Sequence, residues 1–153
     1  TRRSSDLSTA VTYQNIGGLY LETNDLKKAM EYQQLALSIF LEKLGREHPH
    51  VGDSYTNLGI HYARLAEQPL SPLNREDCFA RSLEYYDKAL KIYVHAFGNY
   101  HPMVGAAYNN FAGIYHQKCL MEDGKWKKGN KKITFKLYPL SRLFFYPTHF
   151  AVC

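Results

Sequence analysis

The chain has 153 residues, enough for one domain of ordinary size, and 45% hydrophobic with 22% charged residues is typical of a globular protein rather than a disordered one. The net charge of +5 is unevenly spread, since residues 1–118 hold 12 basic and 12 acidic residues whereas residues 119–153 hold 7 and 2. The balanced first part excludes a nucleic-acid-binding surface there, and no apolar run predicts a membrane span or signal peptide.

Apolar and small residues recur at helical spacing in three successive units. The first unit predicts a helix over about residues 8–23 and a second from Leu26 to Leu44, with Asn24-Asp25 as the break and cap. The second unit predicts helices over about residues 50–66 and 75–97, joined by a loop over residues 67–74 that contains two prolines. The third unit predicts one helix over about residues 102–118.

A phrase of the form Gly-x-x-His-Pro-x-Val-Gly-x-x-Tyr-x-Asn occurs at residues 45–57 and again at residues 98–110. A partial copy at residues 13–20 precedes its match at residues 55–62 by a shorter interval, which predicts an insertion between the helices of the second unit. Each glycine stands where a helix should end with a left-handed residue, and each His-Pro should begin the next helix. Because such a unit cannot bury its apolar face alone, the repeats predict stacked helical hairpins.

The first helix of each unit spaces an aromatic residue, Ile/Leu, Gly/Ala and Tyr in a pattern that resembles the tetratricopeptide repeat, and Ala29, Ala36 and Ala89 complete the pattern on the second helices. The Leu-Gly-x-x-His-Pro-x-Val phrase with its Asn-Leu-Gly core is similar to the kinesin light chain and nephrocystin-like type of this repeat. The resemblance covers about residues 8–118 and implies an all-α fold, a right-handed α-solenoid of antiparallel helix pairs. We therefore expect a repeat region at residues 1–118, with units at about 8–45, 50–98 and an incomplete 102–118.

Residues 119–153 break the pattern, because Gly124 stands where a matching alanine is needed and a lysine-rich stretch follows. We expect a basic, aromatic-rich, irregular C-terminal tail of short β-prone segments. Three interpretations stay open for it. It binds acidic membrane or nucleic acid, it folds back so that residues 143–146 cover the third unit, or it does not belong to the fold.

The resemblance places the side of each first helix opposite its Tyr-Ile/Leu-Gly-Tyr stripe in a concave groove that receives a peptide. The candidate groove residues are Gln14, Asn15, Gly18, Thr56, Asn57, Ile60, Arg64, Asn109, Asn110 and Gly113. The three asparagines at equivalent positions, Asn15, Asn57 and Asn110, can grip a peptide backbone through their amides, or can bond within the scaffold. Chaperone-binding repeats grip a terminal carboxylate with lysine, asparagine and arginine at two positions of this side. Here those positions hold Gln14 and Gly18, Thr56 and Ile60, and Asn109 and Gly113, so a carboxylate clamp is not expected.

The pattern predicts no catalytic residue, no cofactor site and no metal site, since neither the seven histidines nor Cys78, Cys119 and Cys153 fall at ligand spacing. We expect a protein-interaction adaptor of the kinesin light chain type that binds a peptide segment of a cargo or signalling protein. The alternative is a structural repeat segment of a larger regulatory protein, such as a nephrocystin-like protein or a signalling ATPase or kinase. The heptad region through which kinesin light chains bind the heavy chain is missing.

The expected location is the cytoplasm, with association with the cytoskeleton as the extension that the kinesin resemblance implies. Because the sequence begins at Thr1 rather than Met, we expect a fragment or a processed chain. We expect neither nucleic acid nor membrane as a partner of residues 1–118.

Overall fold

A computed structural model describes residues 2–68 and 73–121, and side chains for residues 5–68 and 73–117. The described residues form five α-helices and no strand: α1 (Arg2–Glu22), α2 (Leu26–Leu44), α3 (Pro49–Glu67), α4 (Arg75–Phe97) and α5 (Pro102–Met121). Helices α1 and α2 pair as one hairpin, α3 and α4 as a second, and α5 packs against α4. The predicted all-α solenoid of helix pairs is confirmed.

The predicted ends of α2 and α4 agree with the structure, whereas α1 begins earlier, at Arg2, and α5 continues to Met121. Residues 119–121, predicted as the start of an irregular tail, are therefore helical. The rest of that tail lies outside the described residues, as do residues 69–72 of the predicted loop. Asn74 caps α4, since its Oδ1 accepts a hydrogen bond from the Asp77 amide at 2.8 Å.

The break between α1 and α2 is built as predicted from Asn24 and Asp25. Asn24 has a φ of 62°, a left-handed conformation that asparagine tolerates better than most residues. Asp25 then caps α2, because its carboxylate accepts a hydrogen bond from the Lys28 amide at 3.2 Å and pairs with the Lys28 ammonium. This cap lowers the pKa of the Asp25 carboxyl.

The two turns between units, at residues 45–48 and 98–101, share one construction. Gly45 and Gly98 have φ values of 84° and 77°, so the predicted positive φ is confirmed, although their ψ values of 171° and 168° are extended. His48 and His101 follow, and the ring Nδ1 of each accepts a backbone amide two residues later, from His50 and Met103, at 3.2 Å. Each histidine thus caps the helix that its proline begins.

Glycines on the first helix of a hairpin allow the second helix to approach closely. A Cβ placed on Gly17 would lie 2.8 Å from the Gln33 amide, and one on Gly59 would lie 2.8 Å from the Tyr86 ring. Gly52 faces Tyr93 at the same separation. Gly17 and Gly59 therefore permit an approach that any larger residue at these positions would hinder.

The apolar core runs continuously from one hairpin to the next. One cluster joins α1 to α4 through Ala10, Ala36, Phe40, Val51 and Ile92, and two others join α4 to α3 and α5. Leu58 of α3 is 2% exposed and so lies in the buried interior of the stack. Within the described part of the chain, none of the helices combines the length and apolar character needed to cross a bilayer.

Candidate peptide-binding groove

Helix α3, the first helix of the central unit, contacts both α1 and α5, the first helices of the other two units, near their carboxyl ends. Leu21 of α1 packs in a cluster with Ile60 and Leu65 of α3. Ile114 of α5 packs against Ala63 and Ala66 of α3, and the Gln117 amide donates to the Glu67 carboxylate. Helix α3 therefore lies between α1 and α5, and the candidate residues are distributed over these three helices.

The candidate residues of the outer helices, α1 and α5, are exposed or half-buried. Asn15 and Asn109 are exposed and Asn110 is half-buried, and the side chains of Asn15 and Asn110 have no hydrogen-bond partner among the described residues. No atom lies within 4 Å of a Cβ built on Gly18 or Gly113. Backbone therefore comes close to the surface at both glycines, beside amides that are free to bond.

The candidate residues of the central helix are largely engaged by the scaffold. Thr56 Oγ1 lies 3.1 Å from the Gly52 carbonyl and 3.3 Å from the Tyr93 hydroxyl, and Ile60 packs against two core clusters. Arg64 remains exposed. The sequence pattern treats α1, α3 and α5 alike, but free polar groups are concentrated on α1 and α5.

Gln33 of α2 joins three helices from a fully buried position. It is 0% exposed, its Nε2 donates to the Gln14 carbonyl of α1 at 3.3 Å, and its Oε1 accepts from Asn57 of α3 at 3.4 Å. The repeated asparagines can either bond to a peptide or bond within the scaffold. Asn57 does the second, because its amide donates to Gln33. The backbone of Gln14 serves the same junction, while its side chain is half-buried at the surface.

A second polar contact, which is partly buried, joins the two helices of the central hairpin. The Tyr93 hydroxyl of α4 donates to the Asp53 carboxylate of α3 at 2.7 Å. Burial raises the pKa of Tyr93, and the bond to Asp53 raises it further. His50 also lies 3.3 Å from Asp53. The amino-terminal part of α3 is therefore fixed to α4 by polar contacts and by the Gly52–Tyr93 approach.

A tyrosine cluster that the sequence pattern did not predict occurs once in each complete hairpin. Tyr20 stacks on Tyr32 at 5.6 Å and Tyr62 on Tyr85 at 5.6 Å, with Tyr13 and Tyr55 as the third rings at 5.8 and 5.9 Å. Cations cover the rings: Lys28 lies over Tyr20, Arg81 over Tyr62, and Lys88 over Tyr85 and Tyr55. Alignment of α2 with α4 would have revealed the equivalence of Tyr32 and Tyr85.

His61 of α3 is the one described side chain with a fully buried nitrogen, Nδ1, that has no hydrogen-bond partner. The side chain is 3% exposed and burial lowers its pKa to about 4, so it is neutral at physiological pH. Within residues 2–68 and 73–121 there is no group of three or more His, Cys, Asp or Glu side chains that could hold a metal ion. His61 is thus a buried structural group.

A similarity to a known protein family is found in the first part of the chain. Residues 8–70 match the family model described as tetratricopeptide repeat. No curated protein matches the chain. The match covers α1, α2, α3 and the turns between them, where the glycine contacts and the His48 cap are found. Residues 8–70 are therefore similar to tetratricopeptide repeat sequence, and their paired-helix geometry agrees with that similarity.

Proposed function

We propose that this chain is a protein-interaction module that holds an extended peptide segment of a partner protein across α1, α3 and α5. The observation that carries the proposal is the contrast between the scaffold-bonded α3 residues and the open Asn15, Asn110, Gly18 and Gly113 on the flanking helices. An amide on each side of the groove can bond to peptide backbone, while the glycines leave room for the chain to lie against the helices.

The groove chemistry favours a polar ligand that is neutral or mildly acidic. Arg64 is the exposed cation among the candidate residues, whereas Asn109, Asn110 and Gln14 contribute uncharged polar groups. Residues 1–118 sum to zero charge, so long-range attraction makes a small contribution and binding should depend only modestly on salt. Such a ligand differs from the terminal carboxylates gripped by lysine and arginine in chaperone-binding repeats.

The adaptor role of the kinesin light chain type is the finer part of this proposal. It rests on the Leu-Gly-x-x-His-Pro-x-Val phrase at residues 44–51, now seen as a helix end, a histidine cap and a helix start. Under this proposal the partner is a cargo or signalling protein and the setting is the cytoplasm, near the cytoskeleton. Attachment to a kinesin heavy chain would require sequence beyond the repeats described here.

A second candidate function is a structural repeat segment of a larger regulatory protein that binds no peptide of its own. The bond between Asn57 and Gln33 favours it, because the central member of the asparagine set serves the junction between units. Under this proposal the repeats position a distant domain, and the open asparagines on α1 and α5 are solvated surface.

Partner capture with the full chain, cross-linking to locate the bound segment and synthesis of that segment as a peptide would supply the ligand for a binding test. We expect the double variant Asn15→Ala/Asn110→Ala to weaken peptide affinity by roughly five- to a hundred-fold, because each lost hydrogen bond is worth about 0.5–1.5 kcal/mol. Its thermal unfolding should match that of the native chain, since neither amide has a partner in the scaffold.

Asn99→Ala is the matched control, because Asn99 is exposed in the α4–α5 turn. Its affinity should equal that of the native chain. Equal affinity for the native chain and the double variant would reject the groove and favour the structural segment. A loss of stability in the double variant equal to its loss of binding would assign the asparagines to the scaffold.

A further inference from the structure

Histidine occupies the N-cap position in both turns between units. His48 Nδ1 accepts the His50 amide and His101 Nδ1 accepts the Met103 amide, each at 3.2 Å. A ring nitrogen can accept only while it carries no proton. Both rings are therefore in the Nε2–H form in this structure, and a second proton would convert the capping acceptor into a donor that faces another donor.

The surroundings of the two caps oppose a positive charge. Neither α3 nor α5 has an acidic residue in its first turn, so an imidazolium there would face the positive end of the helix dipole without compensation. Burial and the neighbouring His50 lower the pKa of His48, and Asp53 acts in the opposite direction. The His101 ring stacks on Phe97 at 4.3 Å, and none of the described carboxylates forms an ion pair with it.

The other charged groups near the first turn lie on the turn itself and on α4. Arg46 and Glu47 line the same recess as His48, and Glu47 Oε2 lies 3.8 Å from His95 Nδ1 of α4. On the α2 side, Phe40 stacks on His50 at 5.2 Å. Among the described residues, the carboxylates of Glu47 and Asp53 lie in this region, and each is already close to another histidine, Glu47 to His95 and Asp53 to His50.

We propose that the two turns are acid-sensitive joints: protonation of His48 and His101 removes the acceptors that cap α3 and α5 and loosens the stacking of successive units. The first turns of these helices carry core residues, since Val51 and Val104 are both 0% exposed and Gly52 meets Tyr93. Fraying of a first turn would therefore act directly on the packing between one unit and the next, whereas the break inside the first hairpin is capped by Asp25 and keeps its acceptor to lower pH.

The test follows single amides of the full chain by NMR between pH 7.5 and 5. We expect the His50 and Met103 amide signals to shift with the same midpoints as the His48 and His101 rings. Hydrogen-exchange protection in the first turns of α3 and α5, corrected for the intrinsic effect of pH, should fall by about two- to thirty-fold, the size expected for loss of an N-cap. Protection at the Asp25 cap of α2 should stay constant over this range.

The variants His48→Asn and His101→Asn supply the control, because asparagine is a strong N-cap whose amide does not titrate. Each should keep the protection of the native chain at neutral pH and abolish its decrease in acid at the substituted joint alone. His95→Asn, which removes a neighbouring charge but no cap, should leave the decrease in place at both joints. Because buried His61 also destabilises the fold in acid, the cap variants are compared in a His61→Leu background. Acid loosening that persists there in the two asparagine cap variants, or a His50 amide that does not respond to His48 titration, would overturn the proposal.

Discussion

The two complete hairpins fill one equivalent position with different chemistry. In the first, Gly17 of α1 faces Gln33 of α2, and in the second, Gly59 of α3 faces Tyr86 of α4. Both large side chains are buried, Gln33 at 0% and Tyr86 at 3% exposure. The glutamine bonds to α1 and α3, whereas the aromatic ring lies in an apolar cluster with Phe79 and Ile114.

This difference separates two tasks that the repeat has to perform. An aromatic residue maximises the apolar surface removed from water inside a hairpin and stabilises it without fixing a particular neighbour. A buried amide contributes less net free energy, but it must find its partners and thus favours one arrangement of adjacent helices. We infer that Tyr86 mainly supports stability and that Gln33 mainly orients the second hairpin on the first.

The largest expected loss of stability follows truncation of the residues at this equivalent position, Tyr86 and Gln33. Tyr86→Ala should lower the free energy of unfolding by roughly 3–5 kcal/mol, the usual range for loss of a buried aromatic side chain. Gln33→Ala should cost less, about 1–3 kcal/mol, through the bonds it leaves unmade. Urea unfolding measures both, with Tyr100→Ala at a 77% exposed position as the neutral control. Equal losses of unfolding free energy in Tyr86→Ala and Gln33→Ala would contradict the inference that the first residue supports stability and the second orients the hairpins.

His61 marks the next difference, since the equivalent residue of the first hairpin is Leu19, which is 61% exposed. The pKa of His61 is about 4 in the folded chain against an ordinary 6.5, so the unfolded chain binds the proton first as pH falls. Stability is therefore complete above pH 6.5 and should drop by about 3 kcal/mol between pH 6.5 and 4.

Urea unfolding across that pH range tests this assignment. His61→Leu should remove the decrease that belongs to His61, so its stability curve should be flatter than that of the native chain by the same amount. A variant whose pH dependence matches that of the native chain would show that His61 is not the titrating group.

Glycine substitutions compare the closeness of helix approach in the two hairpins. Gly59→Ala should destabilise by about 1–3 kcal/mol, because the new methyl group meets the stiff Tyr86 ring at 2.8 Å. Gly17→Ala should cost less, since it meets the end of the more flexible Gln33 side chain. Gly18→Ala, next in the same helix but facing open space, should stabilise by up to about 1 kcal/mol through helix propensity.

Thermal unfolding of these three variants gives the comparison directly. Stabilisation by Gly59→Ala would contradict the close contact with Tyr86. A loss of stability in Gly18→Ala would show that this face of α1 is covered in solution.

The smallest effect concerns the equivalent asparagines Asn57 and Asn110. Asn57→Ala should cost about 1 kcal/mol, because it leaves the buried Gln33 oxygen without its partner. Asn110→Ala should fall within about 0.5 kcal/mol of the native chain, as for surface positions without such partners. Combining Asn57→Ala with Gln33→Ala should give less than the sum of the single losses, and strict additivity would argue against the bond.

The sequence predicted the elements whose determinants are local and repeated. Leu26 and Leu44 as the ends of α2, the capping role of Asp25 and the helix-start role of each His-Pro all depend on neighbouring residues, and all agree with the structure. The close approach at Gly17 and Gly59 was also predictable, because small residues on an apolar stripe have few other uses.

The differences between equivalent positions were not predictable from periodicity. A helical stripe places Asn15, Asn57 and Asn110 alike, and only the presence of Gln33 across the junction distinguishes Asn57. Burial of a glutamine at a position that is aromatic in the next repeat contradicts its average preference, so the sequence pattern gave it no weight. Free polar groups are therefore unevenly distributed over the candidate groove residues, and only the packing reveals this difference.

The burial of Cys78, on α4 beside Phe79 and Tyr86, makes its thiol a reporter of local opening. Its side chain is 0% exposed, so a thiol-specific reagent can reach the sulfur only after α4 has separated from α3 or α5. The rate at which Cys78 is alkylated would therefore measure transient opening of the second hairpin. Peptide mass mapping separates its signal from those of Cys119 and Cys153. The native and the opened solenoid could thus be distinguished through a residue that the chain already contains, with no engineered label.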